Sequence, residues 1–536
     1  MKTKIALISV YHKDGITEFA SRLIALGFEI LASGGTAKHL INTGVPVTGI
    51  ASLVGGKAIL GHRVVTLSRE IHAGLLARRI DADIQEMEEL GLPYIDLVCV
   101  DLYPLQEEID KPDGTAESVI EQTDIGGPTM LRSAAKGRRI VIGDPDDRMN
   151  VAEWLDKGSP DEDNFLTVLA AKAEFIVANY CLLSAKYHGR GEYAGFLGKR
   201  AITCKYGENG YQTPAYFYQN ANAEKDPLGL GKFQWVGGTT PSYNNLRDLH
   251  RLLQTITHIA ATFDYNYGGV PCIALGVKHG NSCGAAIATD STEAIKKMVA
   301  GDPQALFGGV VMVNFPIDED IADLLLHYQS ENRRLWDGII APEFSKEAIE
   351  LLERKNGKCR LATNNFLYHL DYNSLDQSPL PVYARGGFQL QPNYTFILSF
   401  RDIDIIKYGP QISADLEEDL LLAKAICDTS NSNTITIVKN GQLIGNGVGQ
   451  QSRVQGARLA VSLANLAGHD VRGSVAASDS FFPFEDGPMI LKEAGVKVIF
   501  ATGGSINDKK IIDYCERNGV TLYMMPDSQA RGFYAH

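Results

Sequence analysis

The first 150 residues alternate short apolar runs with amphipathic runs, and this alternation limits the fold more than any other feature of the chain. Residues 4–10, 29–31 and 96–101 have the composition of buried strands, whereas residues 17–26 and 36–42 carry apolar side chains at helical spacing. Strands that alternate with helices are typical of a parallel sheet with crossover connections. The sequence therefore predicts an α/β domain with a mostly parallel sheet.

A cluster of glycines marks the predicted end of this domain. Residues 165–187 have helical periodicity, and four glycines follow between residues 189 and 198. The remainder is too long for one ordinary core, and the turn-rich stretch 370–381 divides it. The predicted limits are 1–197 for the first domain and about 198–375 and 376–536 for two further units.

The charge balance and the cysteines disfavour several classes of protein. Lysine and arginine number 51 against 64 aspartates and glutamates, and the net charge of −13 disfavours a surface that binds nucleic acid. The eight cysteines form no Cys-x-x-Cys pair, which is typical of a cytoplasmic protein without structural zinc. Lys172, Glu174 and Lys186 interrupt the longest apolar stretch, so we expect no membrane span. Small molecules are the expected partners.

One local pattern occurs twice, a strand followed by two glycines and the start of a helix. The first copy holds Ser33, Gly34, Gly35 and Thr36, and the second holds residues 501–505. Backbone N–H groups at a helix N-terminus favour phosphate or carboxylate, because the helix dipole is positive there. Each turn is therefore a candidate anion site, and the alternative is a tight connection that binds nothing.

Lys278 and His279 follow the apolar run 271–277, so a buried strand carries an ammonium and an imidazole at its end. Loops at strand ends commonly hold catalytic groups. The histidine could act as a general base and the lysine as its electrostatic partner. The alternative is a solvated lysine beside a capping histidine.

Three further segments combine small, aromatic and charged residues. Apolar runs on both sides of the Asn-Gly pair at 440–441 predict a hairpin with a type I′ turn. A glycine-rich run leads from it to Arg453, whose planar guanidinium suits phosphate. Residues 478–487 concentrate aromatic rings beside carboxylates, which indicates a stacking pocket for a heterocycle or part of a core.

In the first domain, Asp124 precedes a helical run that ends near Lys136. This lysine could be an ordinary surface cation, because cations are favoured at the C-terminal end of a helix.

In this order and over essentially the whole chain, these segments resemble the bifunctional purine-biosynthesis family that joins aminoimidazole carboxamide ribonucleotide (AICAR) transformylase to IMP cyclohydrolase. The resemblance implies an N-terminal methylglyoxal-synthase-like parallel α/β domain and a C-terminal transformylase region of two cytidine-deaminase-like α/β units. It also implies homodimers and a metal-free chemistry, since the zinc-binding motifs of deaminases are missing from this sequence. The segments that carry the resemblance are residues 33–36, 124–127, 136, 205–209, 278–279, 307–309, 432–433, 449–453 and 478–487.

The resemblance implies two reactions. In the first, the formyl group of 10-formyltetrahydrofolate passes to the 5-amino group of AICAR, with His279 as the base and Lys278 stabilising charge on the formyl oxygen. In the second, the carboxamide nitrogen attacks the new formyl carbon, and loss of water gives IMP. Lys136 and Asp124 are implied in proton transfer for this second step, with Tyr103 near the reacting groups.

The same resemblance implies three sets of binding residues. The AICAR side comprises Lys205, Tyr206, Gly308, Asp337, Asn433, Arg453, Phe481 and Arg531. The folate side comprises Val454, Asp486, Ser505 and Ile506. The IMP side comprises Lys13, Ser33, Gly34, Gly35, Thr36, Arg63, Thr66, Asp101 and Ile125.

The chain departs from the family's usual residues most clearly in the first domain. Val65 and Ser68 stand where a lysine and a histidine are usual, and Val65 cannot hydrogen-bond a substrate. Losing one charge-assisted contact costs about 1.5–3 kcal/mol, which slows a reaction by about one or two decades. In the second region Lys205 replaces a usual arginine and Asn431 a usual lysine. The alternatives are a transformylase with a weak or silent cyclohydrolase domain, and an inactive nucleotide-binding regulator.

Overall fold

A parallel sheet forms the centre of the first of two units, Met1–Leu197 and Gly198–His536, in a computed structural model that describes residues 4–61, 63–221 and 225–534. The strands of this sheet are β1 (Lys4–Ser9), β2 (Phe28–Ala32), β3 (Thr48–Gly49), β4 (Leu97–Val100) and β5 (Ile140–Ile142). The helices are α1 (Ile16–Ala25), α2 (Gly34–Asn42), α3 (Arg69–Leu76), α4 (Asp81–Glu89), α5 (Leu105–Asp110), α6 (Ala116–Glu121), α7 (Gly126–Lys136), α8 (Asp147–Asp156) and α9 (Glu162–His188).

The predicted parallel sheet is confirmed, with the strand order β3-β2-β1-β4-β5. All four strand pairs are parallel, and Ile8 of β1 lies between Ala32 of β2 and Cys99 of β4. Apolar side chains such as Leu7 and Val98 are fully buried in its core. Because the strands are parallel, the ends of β1, β2 and β4 meet at one edge, which we name the carboxyl edge.

α9 is long and apolar enough to cross a membrane by length and composition alone. One face of this helix packs on the sheet of the first unit through Leu169, Ala173 and Val177. The ammonium of Lys172 pairs with the carboxylates of Asp144 at 2.6 Å and Asp147 at 2.8 Å. These contacts attach one face of α9 to the core of the first unit.

The second unit contains a mixed sheet of twelve strands and two separate hairpins. Its strands are β6 (Gly198–Cys204), β7 (Ala215–Asn220), β8 (Gln234–Gly237), β9 (Cys272–Lys278), β10 (Asn281–Ala288), β11 (Val310–Val313), β12 (Gly338–Ala341), β13 (Arg360–Thr363), β14 (Leu380–Ala384), β15 (Gly387–Gln391), β16 (Ile406–Tyr408), β17 (Ile435–Lys439), β18 (Gln442–Gly447), β19 (Val475–Ser478), β20 (Val498–Gly503) and β21 (Thr521–Pro526). Its helices are α10 (Tyr243–Tyr267), α11 (Ser291–Gly301), α12 (Glu319–His327), α13 (Lys346–Leu352), α14 (Ala414–Asp428), α15 (Arg453–Leu466), α16 (Asp486–Ala494), α17 (Asp508–Arg517) and α18 (Asp527–Ala530).

The twelve-stranded sheet repeats one arrangement twice. Its order is β16-β21-β20-β19-β17-β18-β10-β9-β11-β12-β13-β8, and β10 and β18 join the halves in the middle. From the middle outward, each half has an antiparallel hairpin, three strands parallel to one another, and an antiparallel strand at the edge. A long helix precedes each hairpin, α10 before β9 and α14 before β17. The likeness of each half to cytidine deaminases stays a prediction.

Helices cover both faces of this sheet. Along β9, Ile273, Leu275 and Val277 face a core shared with α10 and α14, whereas Ala274 faces the core shared with α11 and α12. This alternation follows from the period of two along a strand. Small residues such as Gly284 admit the close approach of α11, since a Cβ there would lie 2.4 Å from a carbonyl oxygen of that helix.

Candidate active sites

Lys278 and His279 lie at the tip of the β9–β10 hairpin. β9 ends at Lys278 and β10 begins at Asn281, so His279 and Gly280 are the two central residues of the turn. Their φ angles are 51° and 74°, and positive values at both positions are typical of a type I′ turn. A positive φ is uncommon outside glycine, although histidine adopts it more often than most residues, and contacts from helix α10 hold the turn in this conformation. The strand expected before the pair is present, and the His279 side chain is exposed at its end.

Two neighbouring segments bring Gly308 and Asp337 towards Lys278. The Lys278 ammonium donates a hydrogen bond to the Phe307 carbonyl oxygen at 2.6 Å. The Asp337 N–H donates to the Gly309 carbonyl oxygen at 2.9 Å. These bonds gather three of the candidate residues at one end of the first half of the sheet.

Asp479 organises a second group of candidates. Its carboxylate is fully buried and accepts hydrogen bonds from the Ser432 hydroxyl at 2.6 Å, the Thr434 N–H at 3.0 Å and the Arg453 guanidinium at 3.2 Å. Burial raises the pKa of Asp479, and the Arg453 charge opposes that rise. The carboxylate therefore fixes both the segment before β17 and the guanidinium at the start of α15.

The remaining AICAR-side candidates of the second half surround Arg453. Its guanidinium lies 5.8 Å from the ring centroids of Phe481 and Phe533, and the Arg531 guanidinium lies 5.2 Å from the Phe533 ring. The Asn433 N–H donates to the carbonyl oxygen of residue 450 at 3.2 Å. Two cations, aromatic faces and an amide thus share one region, a set suited to a phosphate and a heterocycle.

The two groups adjoin, because the Asn431 N–H donates to the Asn281 side-chain oxygen at 3.1 Å. Lys205 and Tyr206 occupy a different loop, which contacts the first turn of α10. There the Tyr243 N–H donates to the Tyr206 carbonyl oxygen at 3.3 Å. Lys205 is exposed.

The folate-side candidates lie near the ends of β19 and β20 and the start of α15. Asp486 begins α16, Val454 lies in the first turn of α15, and Ile506 is 100% exposed. The N–H groups of Gly504 and Ser505 donate to the Asp508 carboxylate at 2.7 and 3.1 Å. This second Gly-Gly turn is therefore capped by its own helix, which favours a tight connection over the anion site considered from the sequence.

The carboxyl edge of the first unit gathers six IMP-side candidates. The hydroxyls of Ser33 and Ser9 are 2.9 Å apart, and the Thr36 hydroxyl accepts from the N–H of residue 10 at 3.1 Å. The Lys13 ammonium donates to the carbonyl oxygen of residue 11 at 2.8 Å, and Asp101 accepts from the N–H of residue 12 at 2.8 Å. Burial lowers the pKa of Lys13. Gly34 and Gly35 form the first Gly-Gly turn and begin α2 at this edge.

Asp124, Ile125, Thr66 and Tyr103 extend this group to the start of α7. The Asp124 carboxylate accepts from the Gly127 N–H at 2.8 Å, and burial raises its pKa. Burial and the nearby Asp124 charge also raise the pKa of Tyr103. The Thr66 hydroxyl packs against Gly126, where a Cβ would lie 2.2 Å from it. A carboxyl with a raised pKa beside a phenol can hold or accept a proton.

Two candidates of the first unit do not join that group. The Arg63 guanidinium is exposed and forms an ion pair with Glu121. Lys136 ends α7, and the ten residue steps from Gly126 place it about 15 Å away along the helix axis. It lies towards the edge at which β5 begins, while Asp124 and Lys136 line opposite ends of a groove of about 940 Å³ between α7 and α9. The backbone positions of the two residues are therefore well separated, although both side chains line the same groove.

Comparison with known proteins assigns the family. A model of the AICARFT/IMPCHase bienzyme matches residues 134–463, and a model of the MGS-like domain matches residues 15–129. Bifunctional purine biosynthesis protein PurH of Chlorobium phaeobacteroides (strain BS1) is 34% identical, with 97% of each chain covered. The chain belongs to the PurH family. PurH of Bacillus cytotoxicus is 36% identical over 97% of this chain and 98% of the relative, and PurH of Anoxybacillus flavithermus is 35% identical over 96% and 97%.

The family resemblance and the fold class predicted from the sequence are thus confirmed. A solved structure, that of ForH, shares 35% identity over 36% of this chain, with a TM-score of 0.32. The match to the MGS-like domain falls within the five-stranded unit, and the longer match extends into the twelve-stranded sheet.

Val65 and Ser68, two of the residues that depart from the pattern implied by the resemblance, have structural roles in the first unit. The Val65 side chain packs against the core of the parallel sheet. The Ser68 hydroxyl accepts from the Ile71 N–H at 3.3 Å and so caps the N-terminus of α3. In the second unit, the Asn431 side chain accepts from the Arg251 guanidinium at 3.2 Å.

Sequence reasoning missed three residues that organise the sites. Asp248, Arg251 and Asp479 carry formal charges at buried or largely buried positions, and none was singled out as a site residue. For Arg251 a signal existed, since it interrupts an otherwise apolar helical stripe that includes Leu249 and Leu252. A charge within an apolar stripe needs a partner, and the partner is often functional.

Proposed function

We propose that the second unit transfers the formyl group of 10-formyltetrahydrofolate to the 5-amino group of AICAR, and that the first unit closes the product to IMP. Membership of the PurH family supports both activities. The observation that carries the site assignment is the hairpin tip, where the exposed His279 imidazole stands beside the Lys278 ammonium. The loops of Gly308 and Asp337 flank this pair.

The formyl transfer needs a base because the AICAR amine is a weak nucleophile. As the amine nitrogen bonds to the formyl carbon, its proton passes to the imidazole of His279, and the bond from that carbon to the folate nitrogen breaks. The folate nitrogen takes up a proton as it leaves. The Lys278 ammonium keeps N–H donors beyond its bond to the Phe307 carbonyl, and these stabilise negative charge on the formyl oxygen.

The cationic and aromatic group around Arg453 suits the nucleotide. Arg453 and Arg531 supply charge for the phosphate, and Phe481 offers a ring face to the base. Arg453 is held by the buried Asp479, so its orientation is set before substrate arrives. Val454, Asp486, Ser505 and Ile506 are proposed on the folate side.

In the first unit, the carboxyl edge is proposed to bind the formylated nucleotide. Lys13, Ser33 and Thr36 would surround its phosphate, and Asp124 with Tyr103 would serve the reacting end. A weak cyclohydrolase is the second candidate, favoured by the neutral Val65. The ion pair that engages Arg63 also favours it.

We place the enzyme in the cytoplasm as a homodimer acting on small molecules, without contact to nucleic acid or membrane, and with chemistry that requires no metal. The scattered cysteines support the cytoplasmic location, and the acidic balance of the sequence supports the absence of contact to nucleic acid.

The deciding experiment is turnover of AICAR with 10-formyltetrahydrofolate, with formyl-AICAR and IMP recorded separately. Formation of both products supports the bifunctional enzyme, whereas accumulation of formyl-AICAR supports the weak cyclohydrolase. Binding of AICAR without folate-dependent turnover would favour the inactive regulator and contradict the proposal.

A further inference from the structure

The hairpin turn that carries His279 is held by helix α10 through both polar backbone groups of Gly280. The Gly280 N–H donates to the Asp248 carboxylate at 2.9 Å. The Gly280 carbonyl oxygen accepts from Nε of Arg251 at 2.8 Å. Asp248 and Arg251 are three residues apart on α10 and therefore face the same side. Together they explain how a histidine is held in a left-handed turn.

Arg251 also reaches two other segments of the site. Its Nη2 donates to the Thr429 carbonyl oxygen at 2.6 Å and to the Asn431 side-chain oxygen at 3.2 Å. The guanidinium carbon lies 4.2 Å from the centroid of the Tyr534 ring. The first segment leads to Asn433, and the second follows Arg531. One guanidinium therefore joins three parts of the chain that are distant in sequence.

Burying this charge is costly. Arg251 is 5% exposed, and its hydrogen bonds go to carbonyl and amide oxygens, which are neutral. Its Nη1 is buried with no hydrogen-bond partner in the part of the chain that the structure describes. Burial lowers the pKa of Arg251 to about 10. A charge buried in this way contributes little to the stability of the fold. The contacts of Arg251 instead fix the relative positions of the segments that they join.

The second half of the sheet supplies an internal comparison. Its hairpin turns at Asn440 and Gly441, with φ angles of 54° and 69°, and both N–H groups donate to the Asp419 carboxylate at 2.8 and 2.6 Å. Asp419 is the sixth residue of α14, as Asp248 is the sixth of α10. The ninth residue of α14 is Leu422, where α10 has Arg251. In both halves, a carboxylate of the preceding helix therefore holds the hairpin turn. A guanidinium from that helix position is present only in the half whose turn carries His279.

We propose that Arg251 is a positioning residue for formyl transfer, which aligns the His279 turn with the segments that carry Asn433 and Arg531. The inference rests on the proposed function. Its guanidinium fork fixes the base and the nucleotide-binding segments relative to one another, so the AICAR amine meets the imidazole at reacting distance. A misplacement of about 1 Å can cost on the order of a hundredfold in rate.

The test compares Arg251→Met and Arg251→Lys with the matched control Asp419→Asn. We expect both Arg251 variants to lower kcat of formyl transfer by about tenfold to a hundredfold, with KM for AICAR changed by less than about threefold. Lysine fails because one ammonium cannot span the same acceptors as the planar fork. Asp419→Asn loosens the turn that bears no imidazole and leaves kcat unchanged. Asn431→Ala, which removes one of the acceptors of Arg251, lowers kcat less and is not additive with Arg251→Met.

Hydrogen exchange supplies a readout that does not depend on activity. Arg251→Met should speed amide exchange in both segments 278–282 and 429–434, whereas Asp419→Asn should speed it only near residues 440–442. A wild-type kcat in both Arg251 variants, or unchanged exchange in the two segments, would overturn the inference. If the wild-type protein transfers no formyl group, the proposed function fails, and the exchange pattern alone decides whether Arg251 holds the segments together.

Discussion

Lys424 and Asp428, one helical turn apart on α14, form an ion pair that is almost completely buried, with exposed fractions of 1% and 2%. The ammonium also donates to the Ala530 carbonyl oxygen at 2.9 Å, and the Tyr394 hydroxyl donates to Asp428 at 2.7 Å. The centroid of the Phe500 ring lies 5.0 Å from the ammonium. The pair therefore ties the C-terminal segment to the central helix of the second half.

Lys424→Met should lower the free energy of unfolding of the second unit by about 3–5 kcal/mol, because it leaves the Asp428 carboxylate buried without a counter-charge. Burial already raises the pKa of Asp428, and the lysine opposes this rise. Urea denaturation followed by circular dichroism measures the loss. The double variant Lys424→Met/Asp428→Leu should recover part of it, and equal losses in the single and double variants would contradict the explanation.

His258 makes the stability of the second unit sensitive to acid. Its ring is buried and stacks on Tyr394 with centroids 5.6 Å apart, and burial lowers its pKa to about 4. Between about pH 6.5 and pH 4 the unfolded chain binds a proton that the folded protein does not. The free energy of unfolding should thus fall by about 2 kcal/mol from pH 7 to pH 5 through this group alone.

His258→Phe keeps the stacked ring and removes the proton-binding site. Urea denaturation at pH 7 and pH 5 should show a smaller loss for the variant than for the wild-type protein, by about the same 2 kcal/mol. Parallel losses in the two proteins would show that other groups cause the acid sensitivity.

The turn that bears the proposed base permits a conservative test. His279→Asn removes the imidazole but keeps a residue that tolerates positive φ, as Asn440 does in the equivalent turn. Loss of a general base lowers kcat by about 10²–10⁴-fold, while cyclisation of formyl-AICAR by the first unit should be unchanged. Rapid single-turnover formyl transfer by the folded variant would contradict the role of His279.

The two hairpins also show how much of the local structure the sequence patterns predicted. The Asn-Gly pair at 440–441 has turn residues and predicted its hairpin directly, and the apolar runs predicted β1 and β9 to within two residues. The equivalent geometry of His279 was not predictable, since histidine is not a typical turn residue and its conformation depends on Asp248 and Arg251, which lie about thirty residues earlier.

Lys136 shows what a helical sequence pattern cannot predict about position in the fold. The pattern correctly predicted a helix that begins near Asp124 and ends near Lys136. It did not reveal that the two ends of this helix lie at opposite edges of the sheet, because that depends on the path of the chain into β5. The sequence pattern therefore predicted the helix itself but not where its two ends lie in the fold, and the joint role of Asp124 and Lys136 stays a prediction.

Val65 offers the sharpest test of the first unit. Val65→Lys restores the cation that is usual in the family and should raise the rate of formyl-AICAR cyclisation by about tenfold to a hundredfold, since one charge-assisted contact contributes about 1.5–3 kcal/mol. The valine packs against the core only in part, so a lysine stem can follow the same path and carry its ammonium out of the core, where it is free to contact the substrate. Val65→Met, which lengthens the side chain without charge, is the matched control and should leave the rate unchanged. The measurement is the conversion of formyl-AICAR to IMP, corrected for the spontaneous reaction. An equal rise in both variants would mean that packing limits the rate, whereas no rise in either would mean that the chain cyclises its substrate without a cation at this position.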